Sequence, residues 1–106
     1  MIAIEKGQPV VTLITVHTCK PEDQQQLVEL LAEALNTIYR HVPGFVSASI
    51  HKSLDGVRVT NYAQWQSREA FESVRDNPAI VPFAQRVAEI ASFDPHLYEV
   101  TEVYHA

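Results

Sequence analysis

The sequence predicts an α+β domain in which the elements follow the order β-α-β-β-α-β and an antiparallel four-stranded sheet carries its helices on one face. Three features indicate this: apolar residues at helical spacing, β-branched stretches around them, and an Asp-Gly pair between two of these stretches. The chain has 106 residues, of which 46% are hydrophobic and 20% charged. We therefore expect one domain over residues 1–106, with residues 1–8 as an N-terminal extension.

The first part of the chain predicts a strand and a long helix. The segment from Val10 to His17 is rich in β-branched residues and predicts a strand. Pro21 and the two acidic residues after it are typical of a helix N-terminus. The helix is predicted to end at Pro43-Gly44. Its apolar stripe consists of Leu27, Leu30, Leu31, Ala34, Leu35, Ile38 and Val42.

The middle of the chain predicts a β-hairpin. Its strands are Phe45 to Lys52 and Val57 to Trp65, joined by a two-residue turn at Asp55-Gly56. This turn places Ile50 opposite Asn61 and sorts the side chains onto two faces. The face predicted to lie under the helices holds Val46, Ala48, Ile50, Val59, Asn61, Ala63 and Trp65. The opposite face holds Ser47, Ser49, His51, Arg58, Thr60, Tyr62 and Gln64.

The last part of the chain predicts two more helical segments and a strand. Ser67 is expected to cap a helix that presents Phe71 and Val74 and stops at Asn77-Pro78. A further helix is expected to begin or kink at Pro82. Its apolar stripe consists of Ile80, Phe83, Ala84, Val87, Ala88 and Ala91. Leu97 to Tyr104 is predicted as the final strand, which completes a ferredoxin-like order.

Charge and composition exclude several classes of function. The formal net charge is −5 and there is no basic cluster, so we expect no nucleic-acid partner. No apolar run is long enough to span a membrane, and the N-terminus lacks the pattern of a signal peptide. The single Cys19 excludes an internal disulfide. We therefore expect a cytoplasmic location and no membrane association.

One polar residue, Asn61, lies on the predicted apolar face, with Trp65 further along the same strand. Burying a carboxamide without hydrogen-bond partners costs about 1–3 kcal/mol. One interpretation is that Asn61 ties down a neighbouring loop or helix end; the other is that it directs a polar group into a cavity between sheet and helices. Trp65 is likewise either core packing or the wall of a site, and its indole N–H requires an acceptor.

The histidines and the second sheet face need separate interpretations. There is no Ser-His-Asp or Cys-His signature and no Gly-rich phosphate loop. The polar sheet face suits a semi-buried surface, so we expect two copies to pack sheet against sheet as a C2 dimer. The histidines lack the short spacing of metal ligands; they are His17, His41, His51, His96 and His105. We place His41 in the last turn of the first helix, where a cation interacts favourably with the dipole.

Three motifs within residues 41–73 carry a family resemblance: Pro43 to Phe45, Ser53 to Gly56, and Asn61 to Trp65 (NYAQW). In these motifs the chain strongly resembles the antibiotic biosynthesis monooxygenase domain, whose members are dimeric α/β-barrel proteins of ferredoxin-like fold. Within that family it looks like the cofactor-free, quinone-forming monooxygenases that oxidise anthrone-type polyketide intermediates. The resemblance implies no cofactor, O2 and a small hydrophobic aromatic substrate as reactants, and a homodimer.

The resemblance also implies site residues. The NYAQW asparagine and tryptophan of those enzymes line the pocket and hydrogen-bond the substrate, which carries over to Asn61 and Trp65. A pocket tyrosine of the family is Phe71 here. For the family's pocket arginine, Arg86 is the nearest match, and Arg75 is the alternative. The expected catalytic residues are thus Asn61, Trp65 and Arg86, and the expected pocket wall is Leu35, Ile38, Phe71, Val74 and Phe83.

Other branches of the fold give alternatives. The haem-degrading branch fits less well, because Val74 replaces its second tryptophan and no histidine lies near Ala84, where its axial ligand would be. No metal site is expected. A non-catalytic small-molecule-binding dimer is one alternative function. An isomerase of the same fold is another, and it would use His51 or His17.

Overall fold

The computed structural model describes all 106 residues. Its strands and α-helices are β1 (Val11–Cys19), α1 (Gln24–Thr37), β2 (Phe45–Lys52), β3 (Arg58–Trp65), α2 (Arg68–Glu72), α3 (Val81–Ile90) and β4 (Ala91–Tyr98). The sheet is antiparallel with the strand order β2-β3-β1-β4. This order confirms the predicted ferredoxin-like arrangement. None of the helices combines the length and the apolar character needed to cross a membrane.

The first helix ends earlier than predicted. Helix α1 stops at Thr37, and a separate 3-10 turn covers Tyr39–His41. The break lies at Ile38, whose φ of −124° and ψ of −66° are outside the helical region. The prediction that the helix continues to Pro43-Gly44 is therefore wrong, and His41 lies in the 3-10 turn instead of in the last turn of α1.

The hairpin has the predicted register over most of its length. Ile50 is opposite Asn61, as predicted from the sequence. The connection itself is longer than two residues, because the strands stop at Lys52 and restart at Arg58. The register is as predicted because the strand pairing stays centred on Asp55-Gly56, with Lys52 opposite Val59.

One face assignment in the hairpin is wrong. A β-bulge between Phe45 and Ser47 places Phe45, not Val46, opposite Trp65. Val46 is consequently 45% exposed. Gly44, just before the bulge, has a φ of +92°, and a side chain there would clash with the Cβ of Ala70. The bulge thus turns the Phe45 ring toward the helices.

The C-terminal strand begins earlier than predicted. Strand β4 covers Ala91–Tyr98, whereas the sequence predicted Leu97 to Tyr104, so Ala91 belongs to the strand and not to α3. Pro95 lies within β4, opposite Thr15. Proline is tolerated there because β4 is an edge strand, where one side of the backbone needs no partner. Helix α3 has Pro82 in its first turn, as predicted, but Ala88 is exposed.

The core consists of two clusters under the helices. One contains Leu13, Ala63, Trp65 and Val74, and the other contains Leu27, Leu30, Val59 and Val87. Members of both clusters line one cavity between the sheet and the helices. This cavity is therefore the candidate binding site of the protein.

Candidate functional site

The cavity between sheet and helices has a volume of about 270 Å³ and a predominantly apolar lining. This volume is just below the roughly 300–1,000 Å³ typical of small-molecule sites. Six lining residues carry polar atoms: Thr15, His17, Tyr39, Asn61, Trp65 and Arg75. A few polar groups in an apolar cavity are what is needed to orient a small organic molecule.

Asn61 lies in the middle of β3 and faces this cavity, opposite Thr15 on β1 and Ile50 on β2. Its carboxamide oxygen is buried and has no hydrogen-bond partner. An unsatisfied buried acceptor costs about 1–3 kcal/mol. Asn61 Oδ1 therefore does not tie down a loop or helix end, and it remains available to a molecule in the cavity.

Trp65 is 1% exposed and is held in a fixed orientation by two aromatic rings. Phe45 and Phe71 contact it nearly edge-on, at centroid distances of 5.3 Å and 6.1 Å. Its indole Nε1 is buried without an acceptor. The residue is thus both core packing and a cavity wall that carries an unused donor.

His17 is the buried histidine of the cavity, and it lies on β1 as the sequence predicted. It is 5% exposed, and its Nδ1 lies 3.0 Å from the carbonyl oxygen of Val59. Because a carbonyl can only accept, Nδ1 carries the proton and Nε2 has the free lone pair. Burial lowers the pKa of His17 below its ordinary 6.5, and the bond to Val59 opposes this shift. The imidazole is therefore neutral at pH 7.

The structure brings most of the predicted pocket residues together. Leu35, Phe71, Val74 and Phe83 line the cavity beside Asn61 and Trp65. Ile38 does not, because it follows the break in α1 and faces a separate groove with Val42 and Pro43. The expectation that Ile38 forms part of the pocket wall is wrong for this reason.

The arginine assignment is reversed. The Arg86 guanidinium lies 4.0 Å from a Glu33 carboxylate oxygen and 5.9 Å from the ring centre of Phe83, outside the cavity. Arg75, in the 3-10 turn that follows α2, lines the cavity. Of the two arginines that the resemblance left open, the nearest match, Arg86, does not reach the cavity and the alternative, Arg75, does, since α3 turns the Arg86 side chain toward α1.

Two polar residues of the cavity, Thr15 and Tyr39, were missed as site residues, and His17 was considered only for an isomerase. The alternation of β1 places Thr15 and His17 on one face, but only the pairing of β1 with β3 shows that this face is the cavity face. Tyr39 enters the cavity because α1 ends before it. Burial raises the pKa of its hydroxyl above the ordinary 10, so the phenol stays protonated.

His51 lies on the opposite face of the sheet. Its Nε2 is 2.8 Å from the Ser49 hydroxyl, and the side chain is exposed. The sheet itself separates His51 from the cavity. Of the two histidines considered for isomerase chemistry, only His17 is near Asn61.

A comparison with family models and a comparison with known proteins agree on one family. The model of the family described as antibiotic biosynthesis monooxygenase matches residues 10–86. Tetracenomycin-F1 monooxygenase of Streptomyces glaucescens is 35% identical over 106 residues, which covers 100% of this chain and 95% of that protein.

Solved structures agree in fold. A monooxygenase from the gene ActVA-Orf6 of Streptomyces coelicolor, in complex with nanaomycin D, is similar with a TM-score of 0.77, 27% identity and 92% coverage of both chains. SnoaB, a cofactor-independent oxygenase from Streptomyces nogalater, has a TM-score of 0.77 at 20% identity, covering 90% of this chain and 96% of its own.

Proposed function

The chain belongs to the antibiotic biosynthesis monooxygenase family, and from this premise we propose that it is a cofactor-independent monooxygenase. Its substrate would be a small aromatic, polyketide-like compound of the hydroquinone or anthrone type, oxidised by O2. The observation that carries the proposal is the pair of unsatisfied polar groups, on Asn61 and Trp65, in one apolar cavity. The descriptions of the relatives support the reaction class, since they are named as monooxygenases or as a cofactor-independent oxygenase.

The spacing of these two residues favours an elongated substrate. Asn61 and Trp65 lie on the same face of β3 with Ala63 between them. At about 3.3 Å per strand residue, their Cα atoms are roughly 13 Å apart. A substrate of several fused rings can reach both side chains, whereas a single small ring cannot.

Without a cofactor, the substrate must itself donate electrons to O2. Loss of a proton from the ring carbon that becomes the new carbonyl gives an enolate, and this carbanion equivalent adds O2 to form a hydroperoxide. The hydroperoxide loses water, which leaves one oxygen atom in the product as a quinone carbonyl. The Asn61 side-chain N–H donates to the enolate oxygen, and the Trp65 indole N–H donates to a second oxygen of the fused-ring substrate, over which the negative charge is delocalised. Each donor of this kind is worth about 3 kcal/mol in the transition state.

The proposal is tested with an oxygen electrode and a panel of hydroquinones and anthrones. We expect at least one member to be oxidised with one O2 consumed per quinone formed, without accumulation of peroxide. Trp65 is the only tryptophan, so quenching of its fluorescence reports binding independently. Quenching without oxygen uptake would contradict the proposal in favour of a non-catalytic binder, and a product with the mass of the substrate would indicate an isomerase.

We propose that Arg75 binds an anionic substituent of the substrate at the cavity. Arg75 lines the cavity and has no ion-pair partner, whereas Arg86 faces Glu33. Arg75→Gln is expected to raise KM about tenfold with little effect on kcat, since a charge-assisted bond from an exposed arginine is worth about 1.5 kcal/mol, the low end for such bonds. Arg86→Gln is the matched control and should leave steady-state kinetics unchanged. The reverse result would return the role to Arg86.

The homodimer also belongs to this proposal, with the open sheet face as its interface. Part of that face is already covered within one chain. The Gln64 side chain donates to the Ala3 carbonyl oxygen and accepts from the Ser47 hydroxyl, both at 2.7 Å, and it is only 2% exposed. Ile14 and Tyr62 share the face and are only half-buried in one chain. We expect a solution mass of twice the chain, and a shift toward the monomer for Tyr62→Glu.

A further inference from the structure

We propose that His17 takes the proton that the substrate loses before it reacts with O2. This inference rests on the proposed function and adds the base that the reaction requires. Its starting observation is a buried imidazole in the same cavity as Asn61, with one ring nitrogen already occupied by the protein.

The sheet register places His17 beside the oxyanion site. Thr15 is opposite Asn61, and His17 is opposite Val59, so His17 and Asn61 occupy diagonal positions on one face. Diagonal neighbours of this kind are roughly 7–8 Å apart at their Cα atoms. In an anthrone the acidic methylene lies across the central ring from the carbonyl oxygen. A substrate whose oxygen contacts Asn61 can therefore present this methylene to a residue about one ring away on the same sheet face, which is where His17 lies.

The backbone selects the reactive nitrogen. Val59 carbonyl accepts from Nδ1 at 3.0 Å, which fixes the tautomer with the lone pair on Nε2. The Phe93 ring, at a centroid distance of 5.9 Å, packs against the imidazole from the other neighbouring strand. His17 is therefore oriented before any substrate binds.

No other cavity residue can accept the proton near neutral pH. Besides His17, the titratable or charged residues that line the cavity are Tyr39 and Arg75. The Tyr39 phenol stays protonated because burial raises its pKa, and Arg75 is a permanent cation. No aspartate or glutamate lines the cavity. On the neighbouring strands β3 and β4, the residues opposite His17 are Val59 and Phe93. The residues that α1 and α3 contribute to the cavity lining are all apolar.

With His17 as the base, every proton that moves in the reaction is accounted for within the site. The bond from hydrogen to the ring carbon breaks, a new N–H bond forms at Nε2, and the charge pair is an imidazolium and an enolate. After O2 adds to the enolate carbon, the imidazolium returns its proton to the peroxide oxygen. The hydroperoxide finally loses the remaining hydrogen of that carbon together with hydroxide, as water. His17 ends neutral, and O2 is the only oxidant.

The test uses His17→Gln, because a glutamine amide can still donate to the Val59 carbonyl but cannot accept a proton. A dihydroxyanthrone is bound anaerobically, and its absorbance reports ionisation of the bound molecule. We expect a red shift with the wild-type protein and none with His17→Gln, although both quench Trp65 fluorescence. His41→Gln, at an exposed position outside the cavity, is the control and should behave as the wild type.

In air, His17→Gln is expected to consume oxygen about 10²–10⁴-fold more slowly than the wild type. The wild-type rate should fall as the pH drops through the pKa of His17, which lies below 6.5, because the protonated imidazole cannot accept another proton. That acid limb should be absent from the variant. An unchanged rate with the acid limb retained in His17→Gln would overturn the role of His17 and leave the proposed function intact.

The opposite failure is also distinguishable. Ionisation of the bound anthrone without oxygen uptake by the wild type would remove the monooxygenase function and keep His17 as a base. If His17→Gln does not fold, the nitrogen-15 spectrum of the wild-type protein replaces it. The His17 signals should move to imidazolium values when the dihydroxyanthrone binds anaerobically, and signals that stay at neutral values would overturn the inference.

Discussion

Replacing Asn61 with alanine is expected to lower the rate of oxygen uptake by about 10²–10³-fold, because one donor to the developing enolate oxygen is lost. The free energy of unfolding should hardly change. The wild-type carboxamide oxygen is buried without a partner, so its removal relieves a penalty of about 1–3 kcal/mol that offsets the small void left behind. Oxygen-electrode rates and denaturant unfolding measure the two quantities.

Asn77→Ala is the matched control for this experiment. The Asn77 side chain does not line the cavity; it accepts from the Ala79 amide at 3.0 Å and caps the 3-10 turn Pro78–Ile80. Its loss should cost about 1 kcal/mol of stability and leave the rate unchanged. The two asparagines should therefore show opposite patterns. Asn61→Ala with reduced stability and a normal rate would indicate a structural residue and contradict its assigned role.

Trp65→Phe is expected to reduce the rate by about 10²-fold through loss of the indole N–H. A phenyl ring still packs between Phe45 and Phe71, but it is smaller, so we expect a stability loss of about 1–3 kcal/mol. Because this variant has no tryptophan, ligand binding is followed by substrate absorbance.

Leu27→Ala is the control for Trp65→Phe, because it reduces core packing without removing a polar group from the cavity. Leu27 is fully buried and does not line the cavity, so the truncation should cost about 2–5 kcal/mol of stability. Its rate per folded molecule should equal that of the wild type. If Leu27→Ala loses activity as severely as Trp65→Phe, the effect of Trp65 is due to packing and not to its N–H.

Together these variants distinguish two reasons for burying a polar group. A structural polar group is satisfied within the protein, and its removal leaves an unpaired partner behind. Asn61 and Trp65 have atoms without such partners, so the protein bears a stability penalty at both positions. Stability that does not fall when Asn61 is truncated would be the signature of a site that is completed by its ligand.

The sequence by itself determined the features that a few neighbouring residues control. Alternation along β2 and β3, centred on the Asp55-Gly56 turn, was sufficient to place Asn61 opposite Ile50 and on the side covered by helices. The NYAQW motif identified the family in the same segment. Capping by Ser67, whose hydroxyl accepts from the Ala70 amide at 3.0 Å, also followed from local pattern alone.

Only the tertiary structure decided which residues from distant parts of the chain share the cavity. The pairing of β1 with β3 brings His17 and Thr15 to Asn61, and the orientations of the helical segments bring in Arg75 and turn Arg86 away. Periodicity fixes which side of an element a residue occupies, but not which element lies across from it. That choice depends on how all the apolar faces pack together. The family could therefore be identified from the sequence, whereas the residues that we propose as its base and its substrate-binding cation could not.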